Sequence, residues 1–370
     1  MMNPSNSTRE RRRRLPRFAL AFYATALLCG ILYVAFLLSE PFSDWFNRHV
    51  SALLRGALAH LTNWIPFSLG EFLILMLIPL LILLIGYGLK HFADSWRDVG
   101  IFCASLLSVA ALVFSLFTIG FAPAYRGTSL DRKLGISRRE VSAEELYHTA
   151  EILTAHVKEE MEQIHFSTSS RFSVMPYNYD EMSDKLLDAY DAACDRYDFV
   201  QRLSSRVKPV MLSEAMSYTH ITGVYTFFTG EANINVAFPD YTVPYTAAHE
   251  LSHQRGIARE DEANFMAFLV CLESEDPYIR YSGYLNLLEY VLSALSSASS
   301  QLYRQAYAAL PGEVLGEMAA FSQFFEQYRH SVASEVSETV NNTFLVMHGT
   351  EGTKSYGMVV DLAVAYYRSH

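Results

Sequence analysis

The sequence predicts a mainly α fold, with three N-terminal transmembrane helices followed by a helix-rich domain that contains a small β-hairpin or sheet. Three stretches of apolar residues without charges lie in the first third of the 370-residue chain. Only 18% of the residues are charged, whereas soluble domains average about a quarter. The rest of the chain is typical of helices, except for one segment rich in β-branched and aromatic residues.

The three apolar stretches cover about residues 18–38, 72–89 and 101–121. Each is close to the ~20 residues that a helix needs to cross a hydrocarbon core of ~30 Å. The first stretch is too long for the apolar region of a signal peptide, so we expect it to remain as an anchor. The lipid bilayer is therefore a predicted partner, and residues 18–122 form a predicted membrane domain.

Positive charges predict the orientation of these spans. Arginines crowd residues 1–17, and the loop between the second and third spans carries Lys90 and Arg97. Because basic flanks stay in the cytoplasm, residues 1–17 should be a cytoplasmic tail and residues 123–370 an extracytoplasmic domain at the cell membrane. The dense basic run adjoins an apolar span, so no nucleic-acid-binding surface is predicted.

Residues 41–67 connect the first two spans and have aromatic residues at both ends with helical spacing between them. An amphipathic helix in the membrane interface has this pattern. A helix packed on the following domain has it equally well. Both alternatives stay open from the sequence.

The domain at residues 123–370 begins with a clear helix signal. Ser142 is followed three residues later by Glu145, which is the pattern of a capping box. Further helices are expected at about residues 179–203, 277–309, 313–336 and 355–367. Between them, residues 219–238 place β-branched and aromatic runs on either side of Thr229-Gly230-Glu231, which predicts a β-hairpin.

The four cysteines are scattered and none has CxxC spacing. This arrangement favours neither a zinc ribbon nor a disulfide framework. Whether Cys194 and Cys271 pair stays open from the sequence.

The segment His249-Glu250-Leu251-Ser252-His253 fits the motif H-E-x-x-H. Residues four apart share one face of a helix, so both imidazoles can reach one metal ion, and Zn²⁺ is the expected cofactor. Glu250 lies beside them and is expected to act as the catalytic base toward a water activated by the metal. Pro244 suits the first turn of this helix, where its missing N–H costs nothing.

The third ligand is expected after the helix ends. Gly256 can turn the chain sharply, and Glu260 then lies in the first turn of a second helix, directed back toward the metal. Asn264 is one turn further on the same face and can hydrogen-bond a ligand histidine. Glu262 is a reserve ligand on the opposite side, where a solvent-facing carboxylate is the simpler interpretation.

This arrangement resembles the gluzincins, in which a helix bearing E-x-x-x-D or a close variant follows H-E-x-x-H. Here the pattern is Glu260-Asp261-Glu262-Ala263-Asn264, so asparagine stands where many relatives have aspartate, and the gap after His253 is short. The whole chain also resembles an uncharacterised bacterial family, domain-of-unknown-function family 3810. That resemblance rests on the three spans, on the stretch from Lys208 to Phe265 and on the final SYGMVVDLAVAYY, and it implies this domain layout with a metallopeptidase-like site.

Two supporting roles are also expected. In zincins an edge strand beside the active-site helix holds an extended substrate by backbone pairing. The strand over residues 230–238, with Gly230, Glu231 and Asn233, is our candidate, although a purely structural strand fits equally well. Tyr356 is the candidate donor for a developing oxyanion.

Together these observations predict a membrane-anchored zinc metallohydrolase, a peptidase that cleaves peptides or proteins at the cell envelope. The alternative belongs to a different class: a non-catalytic zinc-binding membrane sensor or assembly factor on a protease-like fold. Glu250 favours the enzyme, because a structural zinc site needs no general base and prefers four protein ligands.

Overall fold

The computed structural model describes residues 14–92, 95–167, 172–329, 331–351 and 358–369. It is mainly helical, as predicted. The helices are α1 (Arg17–Leu38), α2 (Glu40–Phe46), α3 (Ala52–Asn63), α4 (Leu69–Phe92), α5 (Trp96–Gly120), α6 (Leu130–Leu134), α7 (Ala143–Met161), α8 (Tyr179–Arg196), α9 (Ser213–Ser217), α10 (Val243–Gln254), α11 (Glu260–Leu272), α12 (Pro277–Ala298), α13 (Ser300–Ala308), α14 (Gly312–Glu326), α15 (Val332–Met347) and α16 (Val359–Ser369). The strands are β1 (Lys208–Pro209), β2 (Gly223–Thr226) and β3 (Glu231–Ile234).

The three predicted apolar spans are confirmed as continuous helices. Arg17–Leu38, Leu69–Lys90 and Trp96–Gly120 are long and apolar enough to cross a membrane, and almost none of their surface is covered by protein. Helices α1 and α5 pack together, and the Tyr23 hydroxyl donates to the Ala104 carbonyl at 2.7 Å. The basic tail lies mostly outside the described residues, which begin at 14.

The connection between the first two spans packs on the domain. Helices α2 and α3 are joined by a π-helical turn, Asn47–Ser51, a feature often found at functional sites. The Arg55 side chain is buried and donates to Asn47 Oδ1 at 2.7 Å, to the Gly120 carbonyl at 3.0 Å and to Gln201 Oε1 at 3.3 Å. One face of residues 41–67 therefore packs on the domain, which is the second of the two alternatives that the sequence left open. Its other face exposes Leu53, Leu61 and Trp64, which remains compatible with a membrane interface.

The domain core lies between helices α7, α8, α10, α11, α12 and α16. The capping box at Ser142 and Glu145 is confirmed by both of its hydrogen bonds. Several predicted helices are shorter than expected: α8 ends at Arg196, not near Leu203. Extended backbone at Ser299 divides the third predicted helix into α12 and α13. The fourth is also two helices, because α14 ends at Glu326 and α15 begins at Val332.

The hairpin prediction is confirmed, and a third strand completes a small sheet. Strands β2 and β3 pair antiparallel around Gly230, whose φ of 73° is the left-handed conformation that suits glycine. Strand β1 pairs parallel to β3 on its other side, which gives the order β1-β3-β2. The choice of residues 230–238 as an edge strand was therefore wrong, because β3 is central. Among the described residues the free edge near the motif helix belongs to β2.

The cysteines of the described chain form no disulfide. Cys194 and Cys271 are both free thiols. Cys194 and Cys271, whose pairing the sequence left open, therefore do not form a disulfide in this structure.

Candidate metal centre

Helix α10 carries the H-E-x-x-H motif, and all of its residues are close to or below a tenth exposed. Small and apolar neighbours such as Ala247, Ala248 and Leu251 allow the helix to lie inside the domain. Pro244 occupies the first turn, as predicted. Two histidines and a glutamate are thus held in a water-poor interior, where polar side chains need partners.

The end of α10 reverses the chain by a turn that depends on Gly256. Its φ is 87°, and the Ile257 N–H donates to the Ser252 carbonyl while the Gly256 N–H donates to the His253 carbonyl. These two bonds form a Schellman motif. The turn also brings the Ile257 carbonyl to 2.8 Å from His253 Nδ1. Donation from Nδ1 fixes the ring and leaves Nε2 free to act as a ligand.

After this turn Glu260 begins α11 and returns to α10. Its Oε2 lies 3.2 Å from His249 Nε2 and 3.5 Å from His253 Nε2. The two Nε2 atoms are 3.0 Å apart. One ligand atom from each of the three residues falls within 4.8 Å of the others. The structure therefore brings together the three residues that the sequence analysis selected as ligands.

The charges of these groups are strongly coupled. Burial acts to raise the pKa of Glu260, but the charges and hydrogen bonds of His253 and His249 outweigh it and hold that pKa well below its usual range. Burial acts to lower the pKa of His253, yet the nearby Glu260 carboxylate raises it to about 9. Both shifts favour a positive charge beside the Glu260 carboxylate, and a metal cation bound by these groups would supply that charge in place of a proton.

The donor set fits Zn²⁺. Two imidazole nitrogens and one carboxylate oxygen are zinc ligands, and three protein ligands are the number found in catalytic zinc sites. His249 Nδ1 is buried without a hydrogen-bond partner among the described residues. Neither the geometry nor the chemistry of these three residues conflicts with a bound zinc ion.

Glu250 lies between the histidines and the edge strand β2. A Cβ on Gly223 would meet Glu250 Oε1 at 2.6 Å, so only glycine allows the strand to approach this closely. The backbone N–H of Tyr225 donates to the carboxylate, and Oε2 is buried with no partner among the described residues. Burial raises the pKa of Glu250, although the neighbouring histidines act to lower it.

The residues chosen for a substrate strand have structural contacts instead. Glu231 accepts from Lys208 Nζ at 2.5 Å and from the Leu69 and Gly70 N–H groups at the start of α4. Asn233 Nδ2 donates to the Val224 carbonyl at 3.1 Å. The Glu231 carboxylate and the Asn233 amide nitrogen are thus used within the protein, as buried polar groups usually are, whereas Asn233 Oδ1 is buried without a partner among the described residues. Gly230 forms the hairpin turn and lies against α3.

Three other predicted residues have mixed outcomes. The Asn264 side chain lies beside Tyr290 and bonds to neither histidine. Glu262 is buried, not solvent-facing, and accepts from the Leu130 N–H at 2.9 Å, while burial raises its pKa to about 7. Tyr356 lies outside the described residues.

Comparison with known proteins decides the family. A family model described as "Protein of unknown function (DUF3810)" matches residues 46–364. The chain belongs to this family. The matched range contains α10, α11 and all three predicted ligands, whereas α1 precedes it. No curated protein and no solved structure matches the chain, so the function of this DUF3810 protein has to be argued from the site itself.

Sequence reasoning missed Tyr125, which this DUF3810 protein places near the metal centre. Tyr125 ends the short 3-10 turn after α5 and is almost wholly buried. Burial, with the added charge of Glu260, raises its pKa well above the usual range. The Phe121 ring packs beside it and lies 6.0 Å from the His253 ring. The only local signal was an aromatic pair four residues apart, directly after the third span.

Proposed function

We propose that this DUF3810 protein is a membrane-anchored, zinc-dependent peptidase. The observation that carries the proposal is the convergence of His249, His253 and Glu260 beside the buried Glu250, whose Oε2 has no hydrogen-bond partner among the described residues. A structural metal site does not require such a glutamate, whereas hydrolysis requires a base. If the positive-inside prediction holds, the substrates are peptides or proteins outside the cytoplasm.

Each residue of the site has a role in this proposal. His249, His253 and Glu260 hold the zinc ion, which supplies a Lewis acid that acidifies water and polarises a carbonyl. Glu250 accepts the proton of the attacking water and later donates it to the leaving amine. Strand β2 offers its free edge to an extended peptide, because backbone pairing at a sheet edge is the usual way to hold one. The Val224 side chain is exposed on this strand.

Zinc content tests the proposal most directly. We expect purified wild-type protein to hold about one zinc ion per chain, and Glu260→Gln to lose most of it because glutamine is a poor zinc ligand. The matched control is Glu262→Gln, a second buried glutamate in the same helical turn, which should keep its zinc. Elemental mass spectrometry measures both.

The opposite results would be equally informative. Loss of zinc in Glu262→Gln but not in Glu260→Gln would transfer the ligand role to the reserve residue. A folded wild-type protein without zinc, even after zinc is supplied, would overturn the proposal. Zinc binding without cleavage of any member of a fluorescence-quenched peptide library would favour the sensor or assembly factor.

Tyr125 is proposed to donate to the oxyanion that forms during cleavage, the role first assigned to Tyr356. Tyr125→Phe should then lower kcat by about 10²- to 10³-fold with unchanged zinc content, because one oxyanion donor contributes about 2.7–4 kcal/mol. Tyr225→Phe is the control, since the buried Tyr225 hydroxyl has no partner among the described residues and faces Arg55. Equal rates for the two variants would remove Tyr125 from the mechanism.

A further inference from the structure

The C-terminal end of helix α15 contacts two of the membrane spans. The Phe344 and His348 rings at its C-terminal end contact the Phe117 ring of α5, with ring centres 5.8 and 4.8 Å apart. The His348 ring also lies 6.4 Å from the Tyr33 ring of α1. Tyr33 precedes the end of α1 by five residues, which is about 7 Å along a helix axis. The C-terminal end of α15 therefore packs against the last two turns of α1 and α5.

The same helix leaves an apolar face uncovered. Val332, Val336 and Val340 follow each other at intervals of four residues, and Met347 continues the stripe; their exposed fractions are 76%, 58%, 64% and 70%. Residues at this spacing share one face of a helix. A different face packs on the protein through the buried Ser334 and Leu345. Glu335, Glu338 and Asn342 form a third, polar face that is also exposed.

We infer that α15 lies in the membrane surface on the domain side of the bilayer, with its valine face among the lipid chains. Lipid is the occupant because the helix that carries the stripe packs by its C-terminal end, through Phe344 and His348, against α1 and α5. Those two spans expose apolar side chains of their own, including Val34 and Phe114. An exposed apolar stripe of this length is unusual on a surface in water. An amphipathic helix lying in the interface explains it.

The polar face adds a detail about which lipid is needed. Helix α15 contains Glu335 and Glu338 but no lysine or arginine. Its attachment therefore depends on buried apolar area and not on attraction to anionic headgroups. We therefore expect zwitterionic phosphatidylcholine to be sufficient for the attachment of α15, and anionic lipid should not strengthen that attachment.

The inference does not depend on the proposed peptidase activity, but it affects the site. The Tyr125 ring lies 5.1 Å from the His348 ring and 6.2 Å from the Phe344 ring. Tyr125 thus packs directly on the C-terminal end of α15. Immersion of α15 fixes the position of the metal centre close to the bilayer surface.

The test uses the full chain in phosphatidylcholine nanodiscs. An environment-sensitive fluorophore is attached to Val336→Cys, to Val340→Cys or, as the control on the polar face, to Glu338→Cys, and the labelled wild type supplies the background of the native cysteines. Nitroxide-labelled phosphatidylcholine should quench the two valine positions at least about twofold more than the control. Aqueous iodide should show the reverse order.

Three results would overturn the inference. Equal lipid quenching at Val336 and Glu338 would place α15 in water. Protection from both quenchers in discs that hold two copies, but not in discs that hold one, would assign the face to a second copy of the chain. A marked increase in lipid quenching when anionic lipid is added would show that α15 is held by electrostatic attraction and not by apolar insertion. If the variants fail to fold, photoreactive phosphatidylcholine applied to the unaltered chain should label residues 332–347, and the absence of adducts there would reject the inference.

Discussion

Replacing Glu250 with glutamine is expected to lower peptide hydrolysis by about 10³-fold, because a general base contributes 10²–10⁴-fold. Glutamine has nearly the same shape and can still accept the Tyr225 N–H, so the packing against Gly223 should persist. Its amide cannot take a proton from the attacking water. Zinc content should stay at the wild-type level, since Glu250 contributes none of the three converging ligand atoms.

The measurement combines two assays on the same preparation. Cleavage of a fluorescence-quenched peptide library gives the rate, and elemental mass spectrometry gives the zinc content. Glu262→Gln serves again as the control, because it also neutralises a buried glutamate but lies away from the histidines. A Glu250→Gln protein that retained the wild-type rate would show that another group is the base. Simultaneous loss of zinc would show that Glu250 contributes to metal binding.

The second large effect is expected at Gly256, where alanine should weaken zinc binding by about 10- to 100-fold, the cost usual for disturbing groups that orient metal ligands. A residue with a side chain in this left-handed conformation costs about 1–2 kcal/mol. An added Cβ would also clash with Arg55 Nη2 and would lie 3.0 Å from Asn47 Oδ1. Movement of the turn would carry the Ile257 carbonyl away from His253 and displace the start of α11.

The variant Gly135→Ala separates the strain of the left-handed backbone from the contacts of the added Cβ. Gly135 has a φ of 68° and also ends a helix, but a Cβ there meets nothing within 4 Å. This control should lose about 1 kcal/mol of stability from backbone strain alone and keep its zinc affinity. Zinc titration by calorimetry and thermal unfolding in detergent compare the two variants. Equal zinc affinities would mean that the turn at Gly256 does not position the ligands.

Local patterns predicted most of the metal centre. The spacing of His249 and His253 fixes their common face, and the glycine at 256 predicts the turn that returns Glu260, because all three effects act within a dozen residues. The three spans are equally local, since hydrophobic length alone identifies them.

Features that depend on distant pairing were not predictable in the same way. Only the hairpin between β2 and β3 is local; the parallel partner β1 lies more than 20 residues away along the chain and makes β3 central. Gly223 carried a usable signal, because a glycine within a strand marks a close approach of another group. Tyr125 precedes the motif by more than 120 residues, and the packing of the span ends against the domain brings its neighbour Phe121 to the His253 ring.

The buried Arg55 connects the domain to the membrane span α5. Its guanidinium bonds to the end of α5, to Asn47 and to Gln201, and Asn47 Nδ2 donates in turn to the Gly256 carbonyl at 3.1 Å. A rigid link of this kind leaves the metal centre little freedom to rise or tilt relative to the bilayer. If the protein is the peptidase proposed above, the anchor would hold its site at a set height above the bilayer, and a substrate tethered in the same membrane would be cut at a set distance from its own tether.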